Sequence, residues 1–370
     1  MELKRTPLHD LCKVAGARMV PFAGWEMPLQ FAGLVAEHQA VRQTAGLFDI
    51  SHMGVLRLQG ANPKDALQTL VPTDLHRIGP GQACYTVLLN ANGGILDDLI
   101  VYELGDEELL LVINAACAAS DITWLRQHLE PAGLLVSDAK GDGLLLALQG
   151  PEAGQYLEAL GREDGGDDLR ELPRFGQRWL EISGLTPEPT RVLAARTGYT
   201  GEDGFELLLP REAGRVLWST LLKRGVQPCG LGARDSLRLE AAMHLYGQDM
   251  DQNTSPLEAG LGWLVHLENP VPFIGRDALE REVERGSERR LVGLRLEGRA
   301  IPRHGYAIFH NGQPVGTITS GGWSPTLAAG IGLGYVSRSL ARAGTDLTVE
   351  IRGKHQPATV VKRPFYRRSV

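Results

Sequence analysis

Basic charge is scarce in this 370-residue sequence: 38 Lys and Arg stand against 44 Asp and Glu, a formal net charge of -6. That balance argues against nucleic acid as a partner, because phosphate contacts need a net basic footprint. Long apolar runs are missing too, and the longest, LLLVINAACAA at 109–119, is too short to span a bilayer and contains Asn114. No membrane partner is therefore expected. The opening MELKRTPLHD leads into mixed, charged sequence without a signal-peptide core, so a cytoplasmic location is expected. Only four cysteines occur, Cys12, Cys84, Cys117 and Cys229, with no CxxC pair, which excludes a disulfide framework and points to free thiols. The histidines are scattered without HExxH, so no metal site is expected.

What is present is ordinary globular composition, 43% hydrophobic and 22% charged, in a chain long enough for two or three domains. Residues 82–102 read as a hairpin, CYTVLLN then NGGILDDLIVY, followed by an apolar strand at 108–114 and an amphipathic helix at 119–129. RVLAARTGYTGEDGFELLL at 191–209 repeats the order of strand, glycine-bearing turn, carboxylate and apolar strand. It too precedes a helix containing tryptophan, which suggests two related antiparallel sheets with covering helices. After the proline-bearing connector ENPVPFIG and a charged helix, RDALEREVER, the pattern is nearly all strand and turn, with HNGQ as a two-residue hairpin signal. A small β-barrel or sandwich fits this final stretch.

Two adjacent carboxylates, Asp97 and Asp98, interrupt the apolar pattern of ILDDLIVY. Successive strand residues face opposite ways, so Asp98 shares a face with Ile100 and Tyr102, and Asp97 with Leu99 and Val101. At least one acid is expected against an apolar surface. Two readings stay open: one acid caps the turn while the other pairs with a buried base, or a carboxylate walled by Ile100 and Tyr102 serves a cationic substrate or accepts a proton. Tyr85 comes within reach of Asp98 in some hairpin registers.

RTGYTGEDGFE at 196–206 holds three glycines and four charges. It reads as a tight hairpin turn, yet Glu206 opens an apolar run, where a carboxylate can accept two parallel hydrogen bonds from the aminopyrimidine face of a pterin or guanine. Tyr199 is a stacking surface or a core ring. GLGARDSLRLEA at 230–241 is a glycine-rich helix entry rather than a dinucleotide fingerprint, since Asp235 falls at the sixth position. Arg234 near its start either grips a planar anion or carbonyl, or pairs with Asp235 or Glu240. MVPFAGWEMPLQF and FDISHMG read as core clusters. The terminal Lys362, Arg363, Arg367 and Arg368 form a basic tail, solvated or facing an acidic partner.

FAGWEMP, FDISHMG, NGGILDDLIVY, RTGYTGEDGFE, GLGARDSLRLEA, YGQDMD and RPFYR, in that order and spanning essentially the whole chain, resemble the T-protein family of the glycine cleavage system, tetrahydrofolate-dependent aminomethyltransferases. The resemblance implies an α+β, three-domain cloverleaf: two ferredoxin-like antiparallel-sheet domains interleaved in sequence (1–52 with 140–235, and 53–139 with 236–275) and a C-terminal β-barrel over 276–370. It implies transfer of a methylene from the aminomethylated lipoyl arm of H-protein to tetrahydrofolate, giving 5,10-methylenetetrahydrofolate, ammonia and the dihydrolipoyl carrier. It also implies a functional link to the P-protein decarboxylase and the L-protein dihydrolipoyl dehydrogenase. By position Asp98 resembles the catalytic carboxylate, placed inside to meet positive charge. Met53, Tyr85, Tyr102, Asn114, Tyr199, Glu206, Arg234 and Tyr366 resemble folate contacts.

That chemistry suits the residues. Moving a one-carbon unit between sulfur and nitrogen passes through cationic, iminium-like species that water intercepts, and a fixed carboxylate in a dry cavity stabilises them. No nucleophilic side chain is needed, because the folate nitrogen attacks. Related alternatives are a folate-dependent demethylase, a non-catalytic folate-binding protein of the iron-sulfur repair type, and a scaffold whose buried aspartate is only salt-bridged. A further alternative on the same fold is the folate-binding half of a methylglycine dehydrogenase; the flavin fingerprint of those oxidising enzymes and the KGCYxGQE-like stretch of the repair group are missing. The basic tail, with Arg285, Arg289 and Arg290, is expected to attract the lipoyl carrier.

Overall fold

Strand segments gather into two large, mainly antiparallel sheets, a closed barrel and a separate hairpin; in the larger sheet Gln227–Cys229 pairs parallel to Gly46–Asp49. A computed structural model describes residues 2–105, 107–162 and 169–368. The chain divides into two compact units. The first takes the residues up to Ala66 with Leu75–Tyr85 and Leu99–Arg234; the second takes Leu67–Asp74, Thr86–Asp98 and the chain from Asp235 onward. The α+β class and the C-terminal barrel expected from the sequence are both present. Among the described residues, no helix is long and apolar enough to cross a membrane.

In the first unit a seven-stranded sheet runs in the order Gly161–Arg162, Gln177–Ser183, Thr190–Ala195, Gly204–Leu209, Leu144–Gln149, Gly46–Asp49, Gln227–Cys229. Its central strands are leucine-rich because both faces are covered: Leu144, Leu146 and Leu148 pack with Phe205, Leu207 and Leu209, and the helix Arg211–Lys223 adds Leu217, Trp218 and Leu221. Each such fully buried side chain contributes roughly 1.5–3 kcal/mol of transfer free energy. Cross-strand register sets Glu206 between Ala147 and Ala195. A five-stranded sheet has the order Ala83–Leu89, Ile95–Gly105, Glu108–Ile113, Gly54–Gln59, Leu135–Asp138. Its first two strands each pass from one unit to the other in mid-strand, after Tyr85 and before Leu99.

The hairpin of Arg18–Phe22 and Trp25–Gln30 corrects one expectation. MVPFAGWEMPLQF joins the core only in part: Met27 is enclosed and Met19 and Phe31 pack against the core, but Phe22 is exposed and Trp25 half-buried. A two-stranded ribbon has no second layer to cover both faces. FDISHMG behaves as expected, with Phe48 to His52 all buried.

In the second unit six strands close a barrel in the order Arg289–Leu296, Ala329–Ser337, Gln313–Ser324, Ala307–His310, Asp346–Ile351, Lys354–Val361. Its interior follows the strand period, with Val292, Leu294 and Leu296 facing Leu347, Val349, Ala358 and Val360. The HNGQ turn is a two-residue hairpin, His310 opposite Gln313, with Asn311 and Gly312 both at positive φ.

Candidate active site in the first unit

The segment RTGYTGEDGFE folds as a loop over residues 196–203, held by its own side chains together with Arg42 and Gln149, in place of the expected tight turn. The Arg196 fork donates to both Asp203 oxygens at 2.8 and 2.7 Å. Glu202 accepts from Arg42 at 2.9 Å, and the same Arg42 nitrogen donates to the Thr200 carbonyl at 2.8 Å. Fully buried Gln149 donates to the Thr197 carbonyl at 3.0 Å and accepts the Thr200 hydroxyl at 2.9 Å. Gly204 passes so close to that amide that a Cβ would stand 2.6 Å from Gln149 Nε2.

Three of the four charges in this stretch are thus consumed in ion pairs. Glu206 is the fourth. It is 8% exposed, and among the described residues no basic side chain forms an ion pair with it. The Thr197 hydroxyl donates to its Oε2 at 2.7 Å and the Tyr102 hydroxyl lies 3.5 Å from the same oxygen. Oε1 is left without a hydrogen bond from the described residues. Burial, and then the Glu206 charge, push the Tyr102 phenol well above its ordinary range, so it stands as a neutral donor.

Arg234 lies in the first turns of the helix Leu231–Glu240, as the glycine-rich entry predicts. Of its two expected roles, pairing with Asp235 or Glu240 is ruled out. Asp235 accepts from Arg238 at 2.8 Å, and Glu240 accepts from the Thr326 hydroxyl at 2.8 Å and from Ser324. The Arg234 guanidinium lies over the Tyr199 ring, 4.7 Å from its centroid, with Nη1 enclosed and lacking a hydrogen-bond partner among the described residues. Burial pushes its pKa down, while Glu206 and Tyr199 act in the other direction. The helix start is fixed by Glu37, whose carboxylate accepts from Gly230 at 2.8 Å, Phe31 at 2.6 Å and Gly33 at 2.9 Å. A Cβ at Gly230 would overlap the Leu29 carbonyl.

These contacts bring Tyr102 to Glu206 and Tyr199 to Arg234, and Glu206 and Arg234 are close enough to interact electrostatically. Tyr85 and Asn114 are half-buried in the same unit. In the second unit, half-buried Tyr366 donates its backbone N–H to the Glu240 carbonyl at 2.9 Å. Of the acid pair, the one wholly enclosed is Asp97, at 0% exposure, and Asp98 is half-buried. This corrects the reading that sets the second aspartate inside: Asp97 belongs to the strand face of Ile95, Leu99 and Val101, all buried. Asp98 belongs to the opposite, partly open face with Leu96 and Ile100, which ends at enclosed Tyr102.

Sequence reasoning missed three residues. Thr197, which orients Glu206, lies inside RTGYTGEDGFE, where a threonine among turn residues carries no distinctive signal. Lys140 donates to the Ser51 and Met53 carbonyls, the latter at 2.8 Å, and so straps the turn that carries half-buried Met53. Buried His52 has an Nδ1 without a hydrogen-bond partner among the described residues, and burial, Arg234 and Lys140 together lower its pKa to about 3, leaving it neutral. Nothing local in AKGDG or ISHMG signals either contact.

An enclosed carboxylate with an acceptor oxygen unused among the described residues, in the same unit as an arginine lying over a tyrosine ring, marks a candidate site in an α+β protein. Residues 8–269 match the family described as GCVT N-terminal domain, and residues 289–367 match the glycine cleavage T-protein C-terminal barrel domain. The aminomethyltransferase of Prochlorococcus marinus (strain MIT 9303) is 67% identical over 374 residues, covering 100% of this chain and 99% of its own. That of Synechococcus sp. (strain CC9902) is 67% identical over 369 residues, covering 98% and 99%. The crystal structure of glycine cleavage system aminomethyltransferase T from Bartonella henselae superposes with a TM-score of 0.89 at 37% identity, over 99% of this chain and 98% of that one. The chain belongs to the glycine cleavage T-protein family: it is an aminomethyltransferase of the glycine cleavage system.

Proposed function

We propose that the protein moves the methylene of an aminomethyl group from the lipoyl arm of H-protein to tetrahydrofolate, releasing ammonia, 5,10-methylenetetrahydrofolate and the dihydrolipoyl carrier. The observation that carries this reading is Glu206, a buried carboxylate that, among the described residues, has no cation paired to it and one oxygen unused. An amidine-like edge, such as the 2-amino and ring N–H donors of a pterin, satisfies that oxygen and supplies the missing donors. Tyr199, stiffened by the Arg234 guanidinium over it, offers a flat apolar surface for the ring. Met53, Tyr85, Tyr102, Asn114 and Tyr366 complete the proposed set of folate contacts.

Asp98 is the proposed catalytic carboxylate. On its strand it shares a face with Ile100 and Tyr102, and Tyr102 reaches Glu206. Its charge stabilises the cationic one-carbon unit during transfer and accepts the proton lost from the folate amine. Arg285, Arg290 and the tail cations Lys362, Arg363, Arg367 and Arg368, exposed except for half-buried Arg363, are proposed to steer the lipoyl carrier. Arg289 leaves that set, since it is paired with Glu258 at 3.1 Å. Glycine cleavage membership makes the P-protein and L-protein the proposed functional partners.

The test is to incubate the protein with aminomethylated H-protein and tetrahydrofolate and to assay ammonia and methylene-folate together. Equal, folate-dependent release of both is expected. Ammonia without methylene-folate, or neither product, sinks the proposal.

A further inference from the structure

The barrel strands Arg289–Leu296 and Lys354–Val361 pair from Gly293 opposite Val361 to Leu296 opposite Ala358, and no further toward Arg290. Where the ladder stops, a cavity of about 360 Å³ opens, lined by Glu258, Gly260, Arg290, Gly293, Lys362 and Arg363 among others. That volume lies at the small end of ligand sites.

Its charge is one-sided. Glu258 is committed to Arg289, with contacts of 3.1 and 3.3 Å, so this pair is neutral. Arg290, Lys362 and Arg363 have no carboxylate partner among the described residues. Arg363 is the most informative of the three. Its stem lies on Gly293, where a Cβ would stand 3.0 Å from Arg363 Cγ, and its guanidinium lies against Gly260, where a Cβ would overlap a terminal nitrogen. Gly260 sits at φ +74, a conformation that itself favours glycine.

Two positions without side chains therefore admit a half-buried cation that then meets no anion. Burial pushes the Arg363 pKa down and Arg290 adds to this, against the opposing pull of Tyr335 and Asp249. Asp249 gives no direct partner, because its oxygens accept from Arg238, Thr319 and Ser320. Partly desolvated charge without a counter-ion is unfavourable, and an anion in the cavity removes that cost.

The geometry points to a binding site for a small, multiply charged anion bearing phosphate or several carboxylates, held by Arg290, Lys362 and Arg363. The site goes beyond aminomethyl transfer and needs no lipoyl carrier. The experiment is calorimetric titration of the full chain with inorganic pyrophosphate and, separately, citrate at fixed ionic strength, with chloride as the monovalent control. Saturable one-site binding of at least one polyanion is expected, weakened about tenfold or more in the Arg290→Gln/Lys362→Gln double variant. Both those side chains are exposed, so their replacement leaves the fold in place. Arg363→Met, which keeps the stem on Gly293, is expected to abolish binding. Pyrophosphate binding alone assigns a phosphate ligand, citrate alone a polycarboxylate. No saturable binding of either at millimolar concentration, or binding that the variants leave unchanged, overturns the site.

Discussion

Replacing Glu206 by glutamine keeps the shape of the side chain and the Thr197 contact but offers a folate edge a neutral acceptor. Folate affinity in Glu206→Gln is expected to fall by about 1.5–3 kcal/mol, the worth of a hydrogen bond to a charged group, or roughly ten- to a hundredfold. Isothermal titration measures this directly, and an unchanged Kd removes Glu206 from the site. Asp98→Asn is expected to lower aminomethyl transfer by about a hundredfold or more while sparing folate affinity and Tm; retained turnover returns Asp98 to a structural role. His52 carries a pH signature. Its folded pKa of about 3 lies below the ordinary 6.5, so the unfolded chain binds the proton more readily, and stability is lost as pH falls from 6.5 toward 3. The slope is at most about 1.4 kcal/mol per pH unit. Urea titrations of wild type and His52→Gln across that range are expected to differ by this slope, and parallel curves contradict it. Glu206 and Arg234 were legible in the sequence because carboxylate and arginine stand out beside glycine turns and apolar runs. The burial of Asp97 rather than Asp98 was not, because strand alternation gives two faces without saying which one is covered.

Elements carry the site through their ends. The helix Leu231–Glu240 begins where Glu37 gathers three backbone N–H groups and where Gly230 grazes the Leu29 carbonyl. Gly230→Ala is expected to shift that start, destabilising the protein by about 1–3 kcal/mol and weakening folate binding through Arg234. Denaturation midpoints and folate titration of the same variant test both effects, and wild-type values in both contradict the anchoring role. Hairpin chemistry was the most readable feature: Asn311-Gly312 demands positive φ and receives it. The RTGYTGEDGFE loop was less readable. Its closure depends on Gln149 and Arg42, which stand far off in sequence and show no local sign of their task.

Across the whole molecule the charge balance is acidic, with basic side chains concentrated near the C-terminal end of the sequence. The Arg367→Glu/Arg368→Glu variant is expected to slow association with the lipoyl carrier several-fold at low salt and to flatten the salt dependence of the rate. Stopped-flow association measures it, and an unchanged low-salt rate rules out that steering surface. The passage of the strands Ala83–Leu89 and Ile95–Gly105 from one unit to the other also has a consequence for biosynthesis. Thr86–Asp98 leaves the ribosome early, yet the unit to which it belongs is otherwise built mostly from Asp235 onward. The segment carrying Leu88, Leu89 and Ile95, wholly enclosed in the finished protein, must wait for more than a hundred further residues before the rest of its unit is translated. Nascent chains halted after Arg234 should therefore be ready clients for holdase chaperones, whereas the released full-length polypeptide should escape them.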